Sequence, residues 1–195
     1  MTALPPRVSG PQPYRWTIRA YRDLGSRLFD GMKSMLIHGE AFTMPNPNPP
    51  HDTALNLTYE FLRSTFSPRF HVRSQQGFDI GTDNDPGPDL AVVVGSIRDY
   101  ATRTPTEAVL IVEVAETSLF MDTTTKAELY ATAAVPDYWV IDLENRCLHV
   151  FRDPVALPAG LGATAYRTHV TLSPTDRVSP LAAPTASILV ADLLS

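Results

Sequence analysis

Three ionisable residues stand in surroundings that a purely structural design would keep apolar. Glu113 lies in the middle of an apolar, β-branched run over residues 108–115, a pattern typical of a strand buried on both faces. An unpaired carboxylate there would be costly to bury. Asp89 precedes a second apolar run, Leu90–Val94, and Lys126 lies on a predicted helix. Two acids and one lysine therefore approach one predicted sheet from three elements.

These residue types define a specific chemistry. Two carboxylates and one backbone carbonyl, which we predict to be that of Val114, form a hard oxygen site suited to Mg²⁺ or Mn²⁺. A metal held in this way can activate a water and neutralise charge on a phosphodiester. Lys126 would orient that water and stabilise the developing phosphoryl charge. The set predicts metal-dependent phosphodiester hydrolysis by Asp89, Glu113 and Lys126.

Lysine is a rare choice in this chain. Fourteen of the sixteen basic residues are arginine, and the other two are Lys33 and Lys126. A compact ammonium can sit beside a phosphate oxygen or a water where a planar guanidinium would not fit. The alternative is that Lys126 forms an i, i+4 surface pair with Asp122, a candidate N-cap, worth a few tenths of a kcal/mol. The presence of Asp89 and Glu113 favours the catalytic interpretation.

The spacing resembles the motif of the restriction-endonuclease-like superfamily, written PD, a variable gap, then (D/E)xK. Pro88-Asp89 and Glu113 match its first two parts, whereas Ala115 stands where the lysine would be. The chain is similar to a large bacterial family described as restriction endonucleases, abundant in cyanobacteria. It shares with that family the runs VEVAETSL, DxxxK and VPDYWVID, with Tyr130 between the last two. That family carries its lysine on the following helix. The resemblance spans roughly residues 14–152.

The resemblance implies an α/β (α+β) fold with a mixed central sheet flanked by helices, and a Mg²⁺- or Mn²⁺-dependent endonuclease that acts on DNA. It also implies that Glu40 is an outer metal ligand, whereas without the resemblance Glu40 would be an exposed strand residue. His51, at a helix start, and Gln75, before the PD strand, match further family positions. A lone histidine beside a helix N-terminus is more often a structural or solvent-facing group. Asp122 and Tyr130 complete the supporting residues. A homodimer is expected, because two symmetry-related sites would cut both strands of a duplex.

Two other functions stay open at this point. The chain could be a catalytically silent descendant of the nuclease fold that serves as a binding or scaffolding module, although the complete acid, acid, lysine set disfavours this. It could also hydrolyse RNA or another phosphodiester. A net charge of −5 means that contacts with nucleic acid would have to come from a local basic patch.

Length and composition bound the architecture. The 195 residues, 44% hydrophobic and 19% charged, predict one domain over residues 14–195, with 155–195 as its C-terminal extension and 1–13 as a disordered or extended proline-rich arm. No run approaches the roughly 18 apolar residues of a membrane span, and no signal-peptide core is present. A cytoplasmic protein without membrane contact is expected. The single cysteine, Cys147, excludes an internal disulfide and a cysteine-cluster zinc site.

Hydrophobic periodicity predicts the elements that position these residues. Strand alternation places Glu113 on one face of its strand with Val109 and Ile111. The predicted elements are a helix capped by Thr17, a hairpin about His38-Gly39, a helix over 51–65, one or two strands within 70–80, strands at 89–94 and 108–115, a helix from Asp122 to before Pro136, strands at 138–141 and 147–151, and weak strands near 165–172.

Overall fold

A computed structural model of the chain describes residues 11–29, 32–156 and 164–195. The first ten residues of the predicted N-terminal arm lie outside these ranges. In chain order the elements are α1 Ile18–Leu28, β1 Ser34–Ile37, β2 Glu40–Thr43, α2 Pro49–Phe66, β3 Phe70–Ser74, β4 Leu90–Val94, β5 Leu110–Ala115, α3 Leu119–Met121, a π-helical turn Asp122–Lys126, α4 Ala127–Thr132, β6 Asp137–Asp142, β7 Cys147–Ala156, β8 Thr164–Leu172, β9 Arg177–Val178 and β10 Ile188–Leu189, with short 3₁₀ segments at Ile97–Tyr100 and Val190–Leu193.

The centre of the molecule is a mixed six-stranded sheet in the order β3-β4-β5-β6-β7-β8. Only β5 and β6 run parallel, and the helical segment from α3 to α4 makes the crossover that a parallel pair requires. The predicted mixed sheet flanked by helices is confirmed. The hairpin β1–β2 is antiparallel, as predicted, but it forms a separate two-stranded sheet beside the central one.

Strand β5 divides the core into two layers, as its alternation predicted. Leu110, Val112 and Val114 pack on the face covered by α2 and the C-terminal segment. Ile111 and Ala115 pack on the opposite face, against α4 and residues of the hairpin. Glu113 lies two residues after Ile111 and therefore on the same face of the strand, so its carboxylate projects into this second layer.

The prediction that Asp122 caps a helix is wrong. The helical segment starts earlier, after Ser118, and Asp122 begins a π-helical turn inside it. The carboxylate of Asp122 contacts Lys126 and accepts a hydrogen bond from the Ser118 hydroxyl, so it does not cap backbone amides. A single π-turn inside a helix is frequently found at a functional site.

Two further features correct or extend the sequence analysis. Within residues 70–80 only β3 is regular, because the chain turns at Gln75, whose φ is +51°. The C-terminal region contributes strand β8 to the central sheet and buries Val190 and Leu193 in the core. Of the helices in the described ranges, none combines the length and apolar character needed to cross a membrane.

Candidate active site

The register of β4 on β5 brings the two predicted acids together. Leu90 pairs with Val112 in this antiparallel ladder, so one step further Asp89 comes opposite Glu113. The Asp89 amide lies 3.4 Å from Glu113 Oε2, and Asp89 Oδ2 accepts a hydrogen bond of 3.0 Å from the Val114 amide. Both acids are almost fully buried. The two carboxylates therefore belong to one hydrogen-bonded cluster at the end of the two strands.

Asp89 is surrounded by groups that favour its ionised form. His51 Nε2 lies 3.4 Å from Asp89 Oδ2, and Lys33 Nζ lies 3.6 Å from Asp89 Oδ1. Burial raises the pKa of Asp89, but the His51 hydrogen bond, the Lys33 ammonium and the Val114 amide together lower it to about 2. In turn, the hydrogen bond to Asp89 raises the pKa of His51. Asp89 is thus a carboxylate at any pH at which the protein would work.

Glu113 and Lys126 form the second half of the cluster. Lys126 Nζ lies 3.1 Å from Glu113 Oε1 and 2.9 Å from Asp122 Oδ1, and only 4% of the lysine is exposed. The Tyr130 hydroxyl donates a 2.6 Å hydrogen bond to Glu113 Oε1. The π-turn places Asp122 and Lys126 on the same side of the helix, facing the strand. The lysine therefore bridges two buried carboxylates and is not a surface partner of Asp122.

The charges of this second half are unequal. Burial raises the pKa of Glu113 to about 8, and the neighbouring Asp122 and Asp89 carboxylates add to the effect against the opposing pull of Lys126. Burial disfavours the charged ammonium, but Glu113 and Asp122 outweigh it and raise the pKa of Lys126. Lys126 therefore stays protonated, whereas burial disfavours the ionised form of Glu113 near neutral pH.

The cluster forms the floor of an open cavity of about 390 Å³. Its walls come from the hairpin β1–β2, the start of α2, and the segment that follows β5. Among the described lining residues, the charged and ionisable ones are Lys33, His51, Asp89, Glu113, Glu116 and Lys126. Its apolar wall includes Met35, Phe42, Met44, Phe120 and Met121. Phe120 lines this wall with 81% of its surface exposed, so an aromatic face is available at the cavity.

Two predicted site residues lie elsewhere. Glu40 pairs with Arg15 at 2.8 Å, is more than half exposed, and does not line the cavity. Gln75 touches the site only through its backbone, since its amide donates to the Asp89 carbonyl at 2.9 Å, and its side chain is exposed. Asp89, Glu113, Lys126, Val114 and His51 line the cavity, whereas Asp122 and Tyr130 support them from behind.

Sequence reasoning missed three residues of this site. Lys33 contacts Asp89, and its signal was present, because it is the other lysine in an arginine-rich chain. Asn48 and Glu116 were not singled out. The Asn48 side-chain amide contacts both Glu116 carboxylate oxygens at 2.6 Å and so ties the start of α2 to the segment after β5. No local sequence pattern marks a contact between residues 68 positions apart.

Comparison with known proteins gives two positive findings. A family model, Uma2, described as "Putative restriction endonuclease", matches residues 20–191. The fold is similar to the crystal structure of a protein from Anabaena variabilis titled "putative nuclease", with a TM-score of 0.65, 18% sequence identity, and coverage of 82% of this chain and 88% of that chain. No curated protein matches this sequence significantly.

Proposed function

Since the chain belongs to the Uma2 family, described as "Putative restriction endonuclease", we propose that it is a Mg²⁺- or Mn²⁺-dependent endonuclease that hydrolyses phosphodiester bonds in DNA. The single observation that carries this proposal is the convergence of Asp89, Glu113 and Lys126 on the floor of one open cavity. The motif places them on three elements separated along the chain. A scaffold would have no need of this costly buried cluster.

The residues present fit a hard divalent cation. Asp89, Glu113 and the Val114 carbonyl would hold the ion, since each supplies an oxygen donor from the adjoining ends of β4 and β5. Burial raises the pKa of Glu113 to about 8 in the metal-free chain, so a bound cation would stabilise the ionised form that burial disfavours. When bound, Mg²⁺ or Mn²⁺ would supply an activated water and neutralise charge on the phosphodiester.

The chain's own residues would perform the remaining tasks. Lys126, which lies 3.1 Å from Glu113, would hydrogen-bond a water or a phosphoryl oxygen of the substrate. Lys33, partly exposed at the cavity wall, would attract the phosphate backbone. Tyr130 and His51 fix the orientations of Glu113 and Asp89 through their contacts. Phe120 could stack on a base in the cavity mouth.

A cleavage panel tests the proposal. Wild-type protein is incubated with supercoiled DNA, linear DNA, single-stranded DNA and RNA, with and without Mn²⁺. We expect DNA cleavage that requires Mn²⁺ and falls by roughly a hundredfold or more in Asp89→Asn and Glu113→Gln, which preserve side-chain shape. Glu60→Gln is the matched control, because Glu60 is exposed on α2 and pairs only with Arg63.

Each contrary result would support a different conclusion. Full activity of Asp89→Asn would show that this cavity is not the active site. Cleavage confined to RNA would establish the RNA alternative. Inactivity of the wild-type protein on every substrate, although Mn²⁺ binds, would favour a catalytically silent binding module.

Direct titration should show one Mn²⁺ site that is lost in both Asp89→Ala and Glu113→Ala.

The assembly and location expected from the sequence remain proposals. A homodimer would present two symmetry-related cavities to the two strands of a duplex. Sedimentation at working concentrations measures the assembly, and a monomer that still cuts both strands would remove this argument. A cytoplasmic location is proposed together with the nucleic-acid substrate.

A further inference from the structure

A second group of donor atoms lies where β6 turns into β7. Asp142 ends β6, Cys147 begins β7 as its direct cross-strand partner, and His149 follows two residues later on the same face. One donor atom from each of these residues lies within 4.8 Å of the others. None of the three lines the active-site cavity. The proposed nuclease chemistry therefore does not use this group.

The spacing of the three atoms is that of metal ligands. Asp142 Oδ2 and His149 Nε2 are 3.6 Å apart, Cys147 Sγ and His149 Nε2 are 3.7 Å apart, and Cys147 Sγ and Asp142 Oδ2 are 3.9 Å apart. Tetrahedral Zn²⁺ with bonds of about 2.0–2.3 Å separates its ligands by about 3.3–3.7 Å. The Asp142–His149 distance is too long for an ordinary hydrogen bond. A contraction of a few tenths of an ångström would complete one face of a tetrahedron.

The carboxylate is oriented from behind, as is common for a metal ligand. The Asn145 amide donates to Asp142 Oδ1 at 2.9 Å, and the Asn145 side chain donates to Oδ2 at 2.8 Å. Each carboxylate oxygen can accept two hydrogen bonds, so Oδ2 has a second lone pair beyond the one that faces Asn145, and the Cys147 thiol lies against it. The turn thus fixes the carboxylate without using all its acceptor capacity.

The imidazole is oriented in the same manner. His149 Nδ1 lies 3.1 Å from His169 Nε2 and 3.2 Å from the Thr171 hydroxyl, both on β8. A proton on His149 Nδ1, donated to either partner, leaves the Nε2 lone pair directed at Cys147 and Asp142. A metal-bound histidine usually donates its other nitrogen in this way.

We propose that Asp142, Cys147 and His149 form a Zn²⁺ site that joins the ends of β6 and β7, with a water in the fourth position. A thiolate and an imidazole select Zn²⁺ over Mg²⁺, which prefers oxygen ligands alone. Cys147 and His149 are partly exposed, which leaves a side open to solvent. Binding would release the thiol proton, because the thiolate is the ligand. This inference stands independently of the proposed nuclease activity.

The single cysteine makes the test clean. Any thiol signal from the protein reports on Cys147 alone. Metal-free protein is titrated with Zn²⁺ while the rate of its reaction with a thiol reagent is followed. One equivalent of Zn²⁺ should suppress that reaction. Co²⁺ used as a spectroscopic probe should give a thiolate-to-metal charge-transfer band and the visible bands of a tetrahedral ion.

Variants separate this site from the active site. Cys147→Ser should abolish the charge-transfer band, and His149→Gln should abolish tight Zn²⁺ binding. His169→Asn should weaken Zn²⁺ affinity by about 10–100-fold, the range for loss of a group that orients a ligand. Glu113→Gln should leave the thiolate-to-Co²⁺ charge-transfer band unchanged, since it alters the other site. Circular dichroism of each variant confirms that it is folded.

Three results would overturn the proposal. One is an unchanged thiol reaction at saturating Zn²⁺. Another is a thiolate-to-Co²⁺ charge-transfer band that persists in folded His149→Gln. Loss of Co²⁺ binding in Glu113→Gln but not in Cys147→Ser would also count against it, because the metal would then occupy the acidic cavity only.

Discussion

Replacement of Lys126 by methionine separates the structural and catalytic contributions of that side chain. The ammonium lies 2.9 and 3.1 Å from two buried carboxylates, Asp122 and Glu113, so its removal leaves both without their cation. Removing one partner of a buried ion pair costs about 3–5 kcal/mol. Glu113, with its pKa raised to about 8, can take up a proton at pH 7, which places the expected cost at the lower end of that range. Lys126→Met should therefore unfold more readily but remain folded, because domains have about 5–15 kcal/mol of stability.

Urea unfolding with and without Mn²⁺ measures the structural part. A cation present at about 100 times its Kd for the folded state adds about 2.7 kcal/mol to the free energy of unfolding. Mn²⁺ should therefore bring Lys126→Met close to the stability of the metal-free wild-type protein. Cleavage per folded molecule measures the catalytic part, and we expect it to fall by roughly a hundredfold or more. Lys126→Arg retains the charge and should lose less stability, yet it should also fail to cleave, because a guanidinium is larger than the ammonium that the site encloses.

Lys33→Met is the matched control for stability. Lys33 is partly exposed and contacts only one carboxylate of the cluster, so its loss should cost at most about 1 kcal/mol. Full cleavage by folded Lys126→Met or Lys126→Arg would refute the catalytic role assigned to Lys126. A loss of stability in Lys126→Met no larger than in Lys33→Met would refute the description of Lys126 as a buried bridge.

Two further predictions concern the groups around Glu113. The free energy of unfolding of the metal-free protein should fall as pH rises from about 4.5 to about 8, because Glu113, with its pKa raised to about 8, keeps a proton in the folded chain that the unfolded chain has released. His51, whose pKa is also raised, lowers the free energy of unfolding in the same way as pH rises above 6.5. Urea unfolding at several pH values should therefore show a weaker dependence of this free energy on pH in Glu113→Gln than in the wild type. An equal dependence would contradict the raised pKa of Glu113. Tyr130→Phe should cost about 1–3 kcal/mol and weaken Mn²⁺ binding, because it removes the hydrogen bond that holds Glu113. Tyr138→Phe loses a comparable buried bond, to the Asp122 carbonyl, and should reduce stability with Mn²⁺ affinity unchanged; equal loss of affinity in both would mean that Tyr130 acts only through packing.

The sequence by itself determined the features that depend on local periodicity. Alternation along β5 placed Glu113 with Ile111 on one face and Val112 on the other, and the structure has this arrangement. Strand and helix patterns are set by residues two to four positions apart, so a single sequence contains them. The cap at Thr17 was also readable, because the helix it begins follows directly and its hydroxyl accepts from the Ala20 amide.

Only the tertiary structure decided which distant residues meet. Asp89 comes opposite Glu113 because of the register of β4 on β5, and a slip of one residue would have turned one acid to the other layer. The hairpin carries Lys33 toward Asp89 at one end and Glu40 toward Arg15 at the other, an orientation that no pattern within β1 and β2 specifies. The π-turn lies inside the helical segment and carries both Asp122 and Lys126, whose contacts with each other and with Glu113 pair these buried charges. Such contacts depend on the packing of whole elements, and that packing is not encoded in the spacing of neighbouring residues.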